Sequence, residues 1–243
     1  YLQIVKGASP TEAGLLLLPM TLGIMIGSIL SGQIISRTGR YRVFPIVGSA
    51  LLTISLFIFH YVAYDTPLWQ TMIVMTMFGV GLGFNFQPLT LAVQNAVPPQ
   101  QIGVATSTAT FTRQIGGTLG TAVFLSILFS TASEKITTAL AAAVPTQEFQ
   151  AALADPANAA VAEQFAAAQS GGGAATSVLS DSSFLTGLDE RLAKPFLIGF
   201  SEAMDLVFLT GSAIMVLGFL VMLMLPSVEL RKSSGYSERA LAE

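Results

Sequence analysis

The sequence predicts an all-α membrane protein built on five transmembrane helices. Three observations carry that prediction. Of 243 residues, 52% are hydrophobic and only 10% are charged, against roughly a quarter charged in soluble domains. Mean hydropathy is +0.68. The charges sit between apolar runs, each long enough for the ~20-residue helix that a ~30 Å hydrocarbon core requires. Backbone groups in lipid must be satisfied within the segment, so such runs read as helices and not as isolated strands. The competing reading, buried helices of a large soluble protein, is disfavoured because soluble core helices rarely run this far without a charged face.

The spans follow in order. No charge falls between Glu12 and Arg37, which places a first helix at about 13–36. Between Arg42 and Asp65 the titratable side chains are His60 and tyrosines, giving a second at 43–64. The charge-free run from Asp65 to Arg113 is too long for one crossing and is divided by "VPPQQ" at 97–101. Paired prolines end a helix because each lacks an N–H and restrains the residue before it. A third helix is therefore expected at 68–96 and a fourth at 102–131. A fifth occupies 196–228, ending near Leu225-Pro226, and leaves a tail at 229–243. The opening "YLQIVKGASP" has no starting Met, basic leader or cleavage site. It reads as the outer end of a preceding apolar helix.

Between the fourth and fifth spans, residues 132–195 change composition. Alanine dominates as far as Gln169, and "SGGGAATS" follows. Asp155-Pro156 has the form of a cap and first-turn proline opening a short helix. Phe184, Leu185, Leu188 and Leu192 recur at helical spacing. The segment reads first as a mobile loop insertion, since ordering its glycine run costs backbone entropy, and second as a cap over an outer vestibule.

Basic residues in short loops mark the cytoplasmic side. Arg37, Arg40 and Arg42 follow the first span, Arg231, Lys232 and Arg239 follow the fifth, and "YDTPLW" after the second has none. With alternating spans, the arginine loop and the C-terminus are cytoplasmic and 132–195 is extracytoplasmic.

Polar and small residues inside the spans are the functional candidates. Gly23 and Gly27, Ser28 and Gly32, the cluster Gly79, Gly81 and Gly83, and the set Gly116, Gly117 and Gly120 would let helix backbones approach closely. Thr106, Thr110, Arg113 and Gly117 form one stripe on the fourth span. Gln87, Thr90 and Gln94 share a face of the third, with Asn85 and Asn95 nearby and Pro88 where a kink would free a carbonyl. Asn85, Gln87, Gln94, Thr110, Arg113 and Gln114 are thus candidate lining of a water-filled path. For Arg113 a second reading stays open, snorkelling to lipid phosphate at the inner interface. His60, among aromatics in "FIFHYVAY", reads as an interfacial anchor ahead of a proton carrier. Glu202 and Asp205 read as acids at a helix N-terminus, complementing its dipole, ahead of a proton-coupling role.

Several functions are argued against. The chain has no cysteine and one histidine, which leaves no basis for a thiolate or histidine-built metal site. No serine–histidine–acid set or phosphate loop can be assembled, so neither an enzyme nor a cofactor is expected. Net charge is −3, and without a basic stripe nucleic acid is not a partner.

The stretch "GQIISRTGRYR" from Gly32 resembles the cytoplasmic signature loop of the major facilitator superfamily, G-x-L-A-D-R-x-G-R-K. Gly32, Arg37, Gly39 and Arg40 match, and Ile34 stands for the leucine. Ser36 replaces the acid, and Tyr41 replaces the second basic residue, with Arg42 one place later. The missing acid fits the weaker copy of this loop in the second half of such transporters. "SPTEAGLLLLPMTLG", the text from Gly79 to Ala122, and "VFLTGSAIMVLGFLVMLMLP" are similar to the C-terminal domain of the fourteen-helix drug:proton antiporters of the EmrB/QacA type. The resemblance implies five helices of a six-helix C-terminal bundle and a missing N-terminal half that carries the antiporter signature and, in many members, the proton-coupling acids. It implies a cell-membrane exporter of lipophilic small molecules, cationic ones among the candidates, in exchange for protons, with the lipid bilayer as solvent. It implies that Gly32, Arg37, Gly39, Arg40 and Arg42 form a gating loop against neighbouring helix ends, so that Arg40→Ala would cripple transport and leave insertion normal. A metabolite transporter of the same superfamily and a non-transporting membrane scaffold are the alternatives.

Overall fold

The computed structural model describes residues 1–158 and 188–226. The glycine run at 170–177, Phe184, Leu185 and the tail with Arg231, Lys232 and Arg239 lie outside the described residues. Seven α-helices occur among those described: α1 (Pro10–Leu16), α2 (Leu18–Thr38), α3 (Val43–Phe59), α4 (Leu68–Asn95), α5 (Ile102–Ala143), α6 (Gln147–Leu153) and α7 (Glu190–Leu223). Single 3₁₀ turns occupy Pro99–Gln101 and Pro156–Asn158. Four stretches, Pro10–Thr38, Leu68–Asn95, Pro99–Ala143 and Glu190–Leu223, are long and apolar enough to cross a membrane. The apolar helix Val43–Phe59 is shorter, at 17 residues, or ~26 Å of rise.

The helix ends have local causes. "SPTE" closes a reciprocal capping box: Ser9 N–H donates to Glu12 Oε2 at 2.9 Å and Glu12 N–H to Ser9 Oγ at 3.3 Å, satisfying two orphan donors. The helix expected at 13–36 is interrupted at Leu17, where Pro19 has no N–H to give the preceding turn. Gly39 ends α2 in the left-handed region, φ 69°, its N–H bonded to the Ile35 carbonyl at 2.8 Å; this is the C-terminal geometry glycine adopts without strain. The helix expected at 43–64 stops at Phe59, with turns following. Pro88 lies inside α4, buried, and the helix continues to Asn95.

The largest departure concerns 132–195, expected as a loop. Its first twelve residues continue α5 without a break to Ala143. α6 then follows, with Thr146 as its cap, and α7 has already begun at Glu190. The alanines of this segment are the strongest helix formers, and the glycines on which the loop reading rested come only after Gln169.

The chain divides into two compact units. The first comprises Tyr1–Leu16, Phe59–Leu68 and Val123–Thr210. Its core is Ala132, Ile136 and Leu140 of α5, Phe149 and Ala152 of α6, and Leu192, Phe196 and Ala203 of α7. Gly199 makes this packing close, since a Cβ there would come within 2.5 Å of Ile136 Cα. Lys6 Nζ donates to the Tyr64 and Thr66 carbonyls at 2.6 Å each, and Phe59 stacks on Phe208 with centroids 5.1 Å apart.

The second unit comprises Leu17–Ile58, Trp69–Ala122 and Gly211 onward. α2 and α4 meet through glycine on both sides. A Cβ on Gly23 would come within 2.5 Å of the Thr76 carbonyl, on Gly27 within 2.7 Å of the Val80 carbonyl, and on Gly83 within 2.5 Å of the Ile24 carbonyl; one on Gly79 would run into the Met20 carbonyl. Backbones in direct contact gain packing that lipid cannot supply. α3 approaches α4 through Gly48 and Gly81, with Phe44 edge-on to Phe84 at 5.5 Å. The outer faces carry large exposed apolar side chains, among them Leu22, Met25, Ile29, Ile73 and Leu217, the surface expected of helices solvated by lipid.

Candidate functional site

Two regions of the second unit hold the residues singled out in the sequence. The first is the facing pair α4 and α5. Gln94 Nε2 donates to Thr106 Oγ1 at 3.1 Å, tying the two helices by a side-chain bond. Two turns further along α5, the Arg113 guanidinium lies 5.2 Å from the centre of the Phe86 ring, within cation–π range. Gln87, Thr110, Arg113 and Gln114 are exposed. The Thr110 hydroxyl donates to the Thr106 carbonyl of its own helix at 2.9 Å. The pair therefore presents cationic, amide and aromatic groups together on an otherwise apolar surface.

Asn85 does not join them. It is 9% exposed, its Nδ2 donates to the Gly81 carbonyl at 2.8 Å, and it packs where a Cβ on Gly48 would lie 2.5 Å from that nitrogen. Its amide satisfies a carbonyl inside the α3–α4 contact, a packing role. The glycines also divide. Gly79 and Gly83 are buried in the α2–α4 contact, whereas Cβ atoms on Gly116 and Gly117 would meet nothing within 4 Å, and Gly120 is half-buried. Around these open glycines Phe111, Ile115 and Leu119 are also exposed, so this face of α5 has no neighbour among the described residues.

The second region is the arginine loop. Arg37 sits in the last turn of α2, where a cation complements the helix dipole. Arg37 and Arg40 are exposed. Arg42 instead reaches the end of α7, its Nη2 donating to the Leu223 carbonyl at 2.8 Å. Tyr41 is 4% exposed, and its hydroxyl donates to the Pro226 carbonyl at 3.0 Å. The Leu223 oxygen is one of the terminal carbonyls that a helix leaves unpaired, and Pro226 follows three residues after the helix ends. The loop thus fastens the C-terminal end of α7 through Tyr41 and Arg42. Gly32 lies in open space, with nothing within 4 Å of a Cβ. Tyr41 was missed in the sequence, where it reads as a lost basic residue.

A cavity of about 370 Å³ in the first unit is lined by Thr138, Glu148, Arg191, Lys194 and Glu202 among others. Its lining is mostly apolar, with Phe149, Pro195 and Ile198 beside these charged side chains. Among the described residues no group of His, Asp and Glu could hold a metal ion.

Comparison with known proteins supplies the rest. The sequence profile of the Major Facilitator Superfamily matches residues 1–121. The chain is 32% identical over 224 residues to a tetracycline resistance determinant of Streptomyces rimosus, an overlap of 91% of this chain and 63% of that protein. It is 32% identical over 231 residues to an uncharacterized MFS-type transporter of Mycobacterium tuberculosis, covering 95% of this chain and 29% of the relative. Multidrug resistance protein 3 of Bacillus subtilis is 34% identical over 112 residues, 46% of this chain and 22% of that one. The chain therefore spans less than two thirds of the length of each of these relatives.

Proposed function

The chain belongs to the major facilitator superfamily, and from that premise we propose that it is the C-terminal part of a secondary active transporter exporting drugs or other lipophilic compounds by proton antiport. The observation that carries this reading is the similarity to a tetracycline resistance determinant, which extends over 91% of the chain. The α4–α5 surface agrees with it. A lipophilic solute needs apolar contact area and a few polar groups to fix its orientation, and that is the composition around Phe86, Gln87, Thr110, Arg113 and Gln114. The open face at Gly116 and Gly117 is where the absent N-terminal half would pack.

The working cycle is alternating access, a rocking of one helical bundle against the other around a site near the midplane. In this reading the Tyr41–Arg42 clasp on α7 holds the cytoplasmic ends of the C-terminal bundle together while the halves move, and exposed Arg37 and Arg40 face the other half or anionic headgroups. The location is the cell membrane, with the C-terminus cytoplasmic.

Expression of the intact protein in an efflux-deficient bacterium tests the reading. Tetracycline and lipophilic cationic dyes should leave the cells faster than from controls, and a protonophore should abolish the difference. A normally inserted protein that exports none of these probes overturns it, and export that ignores the protonophore overturns the antiport mechanism.

A further inference from the structure

Glu202 and Asp205 border the last charge-free run of the sequence, 206–228. As first-turn acids they would need no further account. The helix, however, begins at Glu190. Asp205 lies fifteen residues into it, ~22 Å along the axis, far beyond the turn in which the dipole acts.

The surroundings of Asp205 lack what a buried carboxylate normally has. Glu202 pairs with Lys135 of α5 at 3.3 Å, both about half exposed. Asp205 has no such bridge. Its Oδ1 is buried and has no hydrogen-bond partner among the described residues. One turn back on the same helix face, Ser201 is 4% exposed and its Oγ is likewise buried without a partner. Opposite stands His60, whose Nδ1 lies 3.2 Å from the Asp205 carbonyl. A carbonyl only accepts, so Nδ1 carries the hydrogen and Nε2 is the nitrogen that can take a second proton. Lys135, Glu202 and Tyr1 are the other charged or titratable groups acting on this carboxylate. The Tyr1 hydroxyl is engaged with the Ala63 carbonyl at 2.8 Å.

We propose that Ser201, Asp205 and His60 form a proton-binding site in the first unit, with Asp205 as the group that carries the proton. Uptake of one proton from water converts the carboxylate to a neutral acid, removes a charge whose buried Oδ1 has no partner among the described residues, and gives Asp205 an O–H donor on the face it shares with Ser201. Release returns the proton to water and restores the carboxylate, with the His60 ring held on the Asp205 carbonyl. Proton binding by itself does not depend on the exporter reading; that reading only makes the bound proton the exchanged ion.

The test is pH-difference infrared spectroscopy on the purified intact protein. A carboxylic-acid C=O band should grow reversibly as the pH is lowered. Asp205→Asn should abolish it and Asp205→Glu should retain one, which separates loss of the site from misfolding. His60→Gln should move the pH at which the band appears. A band unchanged in Asp205→Asn, or a midpoint unmoved in His60→Gln, overturns the proposal. So does suppression of the band by sodium at constant pH, which would make the ligand a metal cation. Efflux is measured on the same samples. The expected band without any efflux leaves the proton site standing and removes the exporter reading; efflux with a band indifferent to Asp205→Asn does the reverse.

Discussion

At the scale of single residues, the arginine loop divides into positions that hold structure and positions that do not. Gly39 adopts φ 69°, where a Cβ costs about 1–2 kcal/mol. Gly39→Ala should therefore lower the thermal midpoint of the intact protein in detergent. Gly32, with open space around it, should accept alanine with no loss, and equal losses at both positions would contradict the geometry. The same logic separates the basic residues. Arg42→Ala removes a charged donor from the end of α7 and should cost about 1 kcal/mol. Tyr41→Phe removes the bond to Pro226 for a similar amount. Arg40→Ala, at an exposed side chain, should leave the midpoint unchanged, so any transport it loses is functional and not structural. Of this loop, Gly39 was legible in the sequence, because a left-handed turn after an arginine-ended helix demands glycine. Tyr41 was not: its partner lies 185 residues away, and no local pattern announces a contact at that range.

At the scale of elements, apolar runs and the proline pair marked a helix in each of the five expected stretches among the described residues, with the ends displaced. What misled was treating the edge of an apolar run as the end of a helix. The change of composition after 131 put the end of the fourth span there, yet α5 continues to Ala143, because an alanine-rich segment needs no lipid to stay helical. The same error placed Asp205 at a helix start. The start of α7 is set by Asp189, which accepts from the Arg191 N–H at 2.9 Å as an N-cap does. Bonds from the Arg191 side chain and backbone, with one from Asn158, hold the Asp189 carboxyl well below the usual carboxylate range. A depressed value means that the charged form is the one stabilised by folding. The contribution is thus complete at neutral pH, begins to shrink below the ordinary carboxylate range, and disappears as the pH falls through the depressed value. Hydrogen exchange of the amides at 191–193 should accelerate on acidification beyond the intrinsic pH effect. Asp189→Asn, which can still cap but carries no charge, should flatten that extra dependence; an unchanged profile in the variant would refute the assignment.

At the scale of the whole molecule, a protein with exposed Leu, Ile and Phe on nearly every long helix is held in place by where its charges stop. Helices that alternate across a bilayer put Thr38, beside the arginine loop, and Ala157, beyond α6, on opposite sides. Both are exposed, and this chain has no cysteine of its own, so single cysteines at these two positions report directly in an otherwise thiol-free protein. The expected result is asymmetric. On intact cells an impermeant maleimide should label Ala157→Cys at once and Thr38→Cys only after the membrane is opened, because the loop carrying Arg37, Arg40 and Arg42 resists translocation across the membrane. The interpretation does not depend on transport, since labelling needs only insertion. Labelling of both from outside would mean that one of the three helices between them, α3, α4 or α5, does not cross the bilayer. Labelling of Thr38→Cys alone would reverse the orientation, placing the loop that carries Arg37, Arg40 and Arg42 outside the cell.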